Sequence, residues 1–178
     1  MSEITRGRWA VANCNNDFIC VETWSGYRGC DRRDYKGKQN FLVPEAVDAA
    51  TGEAVLDALA HSRWVLPVRD NDGTDPAGVE FDSDLYDYKL NIEQYAAWTK
   101  ALMDRYGYKT KRALFKDMKD VAIESKNGFL TFSPSHHQKL EQWGRETQEE
   151  FENVVIPADS SPAEIGAALR LAFSRCTG

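Results

Sequence analysis

The sequence has no surplus of positive charge, no long apolar run and no paired-cysteine motif, and each absence narrows what it can do. Across 178 residues the formal net charge is -6. Nucleic-acid binders draw affinity from basic side chains set against phosphates, so this balance argues against direct nucleic-acid binding. It suits a basic partner, although many soluble proteins are equally acidic. No stretch approaches the roughly 20 apolar residues of a membrane span. The start, MSEITRGRW, lacks the apolar core of a signal peptide. The expectation is a cytoplasmic protein with no membrane contact. Four cysteines (Cys14, Cys20, Cys30 and Cys176) include no CxxC pair. In a reducing compartment they read as free thiols, mostly buried.

Catalytic signatures are missing as well. There is no GxSxG elbow, no GxGxxG and no GxxxxGK[ST] phosphate loop. His136 and His137 are adjacent, whereas two ligands on one helical face must stand three or four residues apart. No metal site, no cofactor and no catalytic residue are expected. Five tryptophans and seven tyrosines read as core and interface.

What is present reads as one α+β domain spanning 1–178, a mixed and mostly antiparallel sheet with helices packed on it. Hydrophobic content of 42% against 28% charged excludes global disorder, and no repeat or low-complexity linker marks a boundary. Residues 8–23 predict a hairpin turning at Asn15-Asn16-Asp17. A three-residue turn would put Trp9, Val11, Ile19 and Val21 on one face, with Ala10, Ala12, Phe18 and Cys20 on the other. The glycine-rich, basic stretch 24–40 reads as a solvated loop, and Phe41 to Val43 as a short strand. Thr51 would cap a helix with Val55, Leu56 and Leu59 inward, followed by a strand from Arg63 to Leu66.

Asn91 with Gln94 would open a further helix, lined inside by Ile92, Tyr95, Thr99, Leu102 and Tyr106 and ended by Gly107. Another starts at Thr110 with Leu114 and Met118 one turn apart. Two strands, 121–125 and 129–133, flank the hairpin signal Lys126-Asn127-Gly128. Residues 144–153 read as a surface connection. Val154 to Ile156 form a buried strand, and Ser161, Pro162 and Glu164 open a C-terminal capped amphipathic helix. Its inner face is Ile165, Ala168, Leu169, Ala172, Phe173 and Cys176.

One stretch stands out chemically. Between 70 and 87 lie seven acidic residues (Asp70, Asp72, Asp75, Glu80, Asp82, Asp84 and Asp87) and no Lys or Arg. A calcium loop counted from Asp70 would need glycine at its sixth position and glutamate at its twelfth. Asp75 and Phe81 stand there, so that reading fails. A mobile acidic loop remains, either solvated or docking a cationic partner.

Four segments carry a family likeness: LDALAHSR (56–63), RYGYKTKRALFKDM (105–118), TFSPSHHQKLEQW (131–143) and VVIPADSSPAEIGAALRLAFSRC (154–176). Together they resemble the immunity proteins of contact-dependent growth inhibition, the CdiI type. The resemblance implies a cytoplasmic protein that binds the toxic C-terminal domain of a cognate cell-surface effector, commonly a basic nuclease. It carries over no catalytic residues and no contact residues. A nuclease inhibitor gains by presenting carboxylates where phosphates would bind, which makes the seven acidic residues of 70–87 the candidate toxin-binding surface. Two other classes compete. One is a small hydrolase using His136 or His137 as general base; the other is a nucleic-acid or ribosome adaptor using the basic face of 100–119.

Overall fold

The computed structural model describes residues 5–144 and 152–178. Strand β1 (Arg8–Cys14) pairs antiparallel with β2 (Ile19–Tyr27), and their link is longer than the sequence suggests. Cys14 lies opposite Ile19, so Asn15 to Phe18 all belong to the turn. The Asn15 side-chain oxygen closes it by accepting from the amides of Asp17 and Phe18. One extra turn residue slips the register by one and exchanges the faces. Ala10 and Ala12 therefore join Ile19 and Val21 in one core, and Phe18 and Cys20 enter another.

The stretch read as a basic loop instead holds the end of β2 and strand β3 (Cys30–Arg33), while the short strand expected at Phe41 to Val43 is β4 (Gln39–Leu42), begun two residues earlier. β3 and β4 pair antiparallel with different halves of β2. Basic side chains hid β3, because a strand at a sheet edge needs no apolar alternation. Helix α1 (Asp48–Ala60) begins one turn before the expected cap. Val47 is its N-cap, and Thr51 is buried inside the helix with its hydroxyl donating to the Val47 carbonyl at 3.3 Å.

Strands β5 (Val65–Leu66) and β6 (Glu80–Phe81) form a small parallel ribbon, followed by a short 3-10 turn at Ser83–Tyr86. Helix α2 (Tyr88–Tyr106) also starts a turn early, capped by Asp87 and ended by Gly107 at φ 74°. Its inner face includes Trp98 and excludes Ile92, which is half exposed. Helix α3 (Lys111–Phe115) has Thr110 as its cap; Leu114 and Met118 are buried, though Met118 lies past the helix end.

Strands β7 (Lys119–Lys126) and β8 (Phe129–Pro134) turn at Asn127 and Gly128, both at positive φ as a tight hairpin requires. A second ribbon, β9 (His136–Lys139) with β10 (Gln142–Gly144), precedes β11 (Val154–Pro157) and helix α4 (Pro162–Arg175). Of the expected 144–153 connection, residues 145–151 lie outside the described residues.

The main sheet runs β11-β8-β7-β1-β2-β3, with β4 beside β2, and every pair in it is antiparallel. Helices α1 and α4 cover one face over Val21, Val55, Phe132, Ile165 and Leu169. The capping box of α4 is complete: Ser161 accepts from the Glu164 amide, and Glu164 accepts from the Ser161 amide. Two glycines set how closely the helices approach. A Cβ on Gly52 would stand 1.8 Å from the Pro162 carbonyl oxygen, and one on Gly166 1.9 Å from that of Asp48. Helices α2 and α3 cover the opposite face with an aromatic core that includes Phe18, Trp98 and Phe115. The fold is a single α+β domain with its sheet enclosed between helices.

Candidate functional site

The acidic segment 70–87 finds its counter-charges far away in sequence. Arg63, two residues ahead of β5, points its guanidinium at Asp34, which follows β3 and is almost completely buried. Its Nε and Nη2 donate to the two carboxylate oxygens at 2.7 and 3.0 Å, and the Ser25 hydroxyl donates to the same group at 2.7 Å. Burial pushes the Asp34 carboxyl up, but the hydrogen bonds from Arg63 and Ser25 outweigh it and hold it below the usual range. Arg63 also reaches Glu80 at 3.2 Å and Asp82 at 3.1 Å. Lys36 adds 2.7 Å to Asp82 and 3.3 Å to Asp84. The Lys36 hydrogen bond, with that of Arg63, holds the Asp82 carboxyl low.

The seven carboxylates therefore divide. Glu80, Asp82 and Asp84 belong to this knot, and Asp87 caps α2 by accepting from the Leu90 amide at 2.9 Å. The expectation of one mobile loop without counter-charge is corrected here: from Glu80 onward the segment is a strand, a 3-10 turn and a helix cap. Asp70 and Asp72 remain exposed on the turn-rich part, where Asp75 is half-buried. Asp75 accepts from the Asp70 amide, and Asp72 from the amide and hydroxyl of Thr74. Those two hydrogen bonds lower the Asp72 carboxyl. Among the described residues no ion pair reaches any of the three. The loop is tied down at its far end, where Arg6 donates to the Ala77 carbonyl and stacks on Trp64.

Residue reasoning missed Asp34, Lys36 and Arg63. They lie up to 48 positions from the carboxylates they meet, so no local spacing announces them. It also missed Arg33, which is half-buried with its Nε 2.8 Å from the buried Glu22, though the N–H is not aimed along that line. Glu22 accepts from the Trp98 indole at 2.5 Å, and Arg33 lies 3.9 Å over the Trp98 ring. The alternating positions of a strand carry such a pair inward.

The histidines hold structural posts. On β9 neighbouring residues point to opposite faces. His136 Nδ1 is 2.7 Å from the Thr177 hydroxyl; His137 stacks on Trp143 and its Nε2 donates to the Leu140 carbonyl at 3.1 Å. No cluster able to hold a metal ion occurs among the described residues, and none of their helices is long and apolar enough to cross a membrane. The cysteines are free, and Cys30 is exposed rather than buried.

Known proteins share both the sequence and the architecture. The profile of CdiI, CDI immunity protein, matches residues 8–176. The immunity protein CdiI-YPIII of Yersinia pseudotuberculosis serotype O:3 (strain YPIII) is 49% identical over 178 residues, the full length of both chains. The CdiA-CT/CdiI toxin and immunity complex from Yersinia pseudotuberculosis matches with a TM-score of 0.91 and 49% identity, over 98% of this chain and 99% of that one. A protein of unknown function from Neisseria meningitidis matches at TM-score 0.80 and 36% identity, over 96% of each chain. Sequence and architecture together define an immunity protein of contact-dependent growth inhibition, not an enzyme; the hydrolase alternative is thereby set aside. The chain belongs to the CdiI family of CDI immunity proteins.

Proposed function

We propose that this protein acts in the cytoplasm, where it neutralises the toxic C-terminal domain of a cognate CdiA-type effector by stoichiometric binding. The toxin is a nuclease with a basic active site, and the acidic surface of 70–87 meets it. The observation that carries this reading is the full-length likeness to an immunity protein whose relative is known in complex with CdiA-CT. The charge arrangement supports the surface: Asp70 and Asp72 stand exposed with Asp75 half-buried behind them, none reached by an ion pair among the described residues, beside a knot whose carboxylates outnumber its cations. A basic partner relieves that imbalance and is steered to it through solvent. Glu80, Asp82, Asp84 and Asp87 belong to the same surface and also hold the loop in place.

Titration of the purified toxin domain, followed by its degradation of RNA or DNA, tests the proposal. Inhibition should rise linearly and end sharply at one equivalent. Complete inactivation by a hundredth of an equivalent would mean turnover and overturn stoichiometric binding. A toxin that cleaves no nucleic acid would overturn its assignment as a nuclease.

A further inference from the structure

A groove between the β3–β4 edge and α2 is left open by the fold. It encloses about 310 Å³. Its floor is Ala97 and Ala101, one helical turn apart and both exposed, and its back wall is the buried pair Trp98 and Leu102. Phe41 and Tyr35 close the far side. An exposed helical stripe ordinarily carries long polar side chains; the two alanines leave that space empty. Gln39 and Gln94 line the groove and supply both donors and acceptors.

The two ends differ. At one end Arg105 lines the groove, its guanidinium 4.4 Å over the Phe41 ring and 5.6 Å from the Tyr106 ring. At the other, Tyr35 and Gln94 also line the cleft that holds Lys36, Arg63, Asp82 and Asp84. Arg33 lines that cleft too, its charge set against Glu22. The ion-pair knot at the cleft joins four carboxylates (Asp34, Glu80, Asp82 and Asp84) to two cations, Arg63 and Lys36, and so carries two negative charges in excess.

We infer that this groove is the anchor site of the toxin complex: an aromatic side chain of the toxin inserts between Phe41 and the Ala97–Ala101 stripe, and a basic residue beside it meets the Asp82–Asp84 end. The inference rests on the immunity reading above and deepens it. Pocketed aromatic residues dominate binding energy at interfaces, and the volume and apolar walls suit a ring. Arg105, already over the Phe41 and Tyr106 rings, favours an aromatic over an aliphatic occupant, because a further ring extends its cation–π contact. The excess negative charge favours a basic neighbour. It also disfavours a second copy of this chain, whose net charge is likewise -6.

The test is the affinity of the toxin domain for Ala101→Trp, which fills the groove from an exposed helical position. Dissociation should accelerate and Kd rise about 30-fold or more, while Ala101→Ser stays within about threefold of wild type. Arg105→Ala should weaken binding in the same direction. Hydrogen exchange on the wild-type complex checks the site without substitution: amides of residues 39–42 should slow on binding. Tight binding by wild type with unchanged rates in both groove variants and no slowing of 39–42 overturns the groove and leaves the immunity reading standing. Failure of wild type to bind toxin at all overturns both. Self-association of wild type that Ala101→Trp abolishes makes a second copy the occupant, and overturns the inference.

Discussion

Arg63 and Asp34 form a two-point contact, guanidinium edge to carboxylate, with Asp34 almost wholly removed from solvent. Bidentate geometry of this kind carries direction as well as strength. It joins the residue after β3 to one two positions ahead of the β5–β6 ribbon, and through Glu80 and Asp82 it fastens the acidic segment to the sheet.

Removing one partner should be far worse than removing both. Arg63→Met leaves the Asp34 carboxylate buried and unpaired, and should cost about 3–5 kcal/mol in urea melts. The double variant Asp34→Asn with Arg63→Met should recover a large part of that loss. A double variant as unstable as the single one would mean that the contact is valued for its shape rather than its charge.

The C-terminal helix separates packing from capping. Leu169 is fully buried, so Leu169→Ala should destabilise by about 2–5 kcal/mol. Ser161→Ala removes one side of the capping box on an exposed turn and should cost about 0.5–2 kcal/mol. Equal losses at the two positions in denaturant melts would contradict the assignment of Leu169 to the core.

Asp120 should make stability fall between pH 4 and 6. Burial pushes its carboxyl up to about 6, against the hydrogen bond that Asn13 donates at 2.8 Å. A carboxyl raised above its unfolded value of about 3.9 stabilises the fold fully at lower pH, and that contribution is lost as pH rises through the folded value. Asp120→Asn should therefore raise stability at pH 7.5 by up to about 2 kcal/mol, discounted for the exposure the residue retains, and change little at pH 4. Asn13 Oδ1, buried without a partner, becomes available to the introduced amide. Asp34 and Asp82 act in the opposite sense: their lowered carboxyls stabilise at neutral pH, and that is lost as pH falls below about 4. Melts of both proteins across pH 3–8 check the sign.

The acidic turn can be reversed without touching the knot. Asp70→Lys with Asp72→Lys alters two exposed carboxylates and should leave stability within about 1 kcal/mol. Association with the toxin should slow and lose most of its salt dependence, because rim charges act chiefly on the on-rate. Stopped-flow measurements at several salt concentrations decide it; unchanged rates would move the interface off this turn. Asp82→Lys is the wrong probe, since Asp82 holds Arg63 and Lys36 and its loss would confound folding with binding.

What the sequence determined by itself is local. The Ser161-Pro162-Glu164 start of α4, the Asn127-Gly128 turn and the Gly107 stop all follow from short-range backbone chemistry. So does the buried stripe from Ile165 to Phe173, because helical spacing alone brings those residues to one side. Four family-like segments could be read in the same way, as contiguous strings. Tertiary structure decided the rest. One extra turn residue at Phe18 chose which faces of β1 and β2 share a core, a choice made by a second apolar layer that no local pattern foretells. Residues 30–33 became a strand because β2 offered them an edge. Seven carboxylates between 70 and 87 looked equivalent because their cations, Lys36 and Arg63, come from elsewhere in the chain. Only folding brings those charges within reach, and electrostatic pairing depends on distance in space, not on separation in sequence.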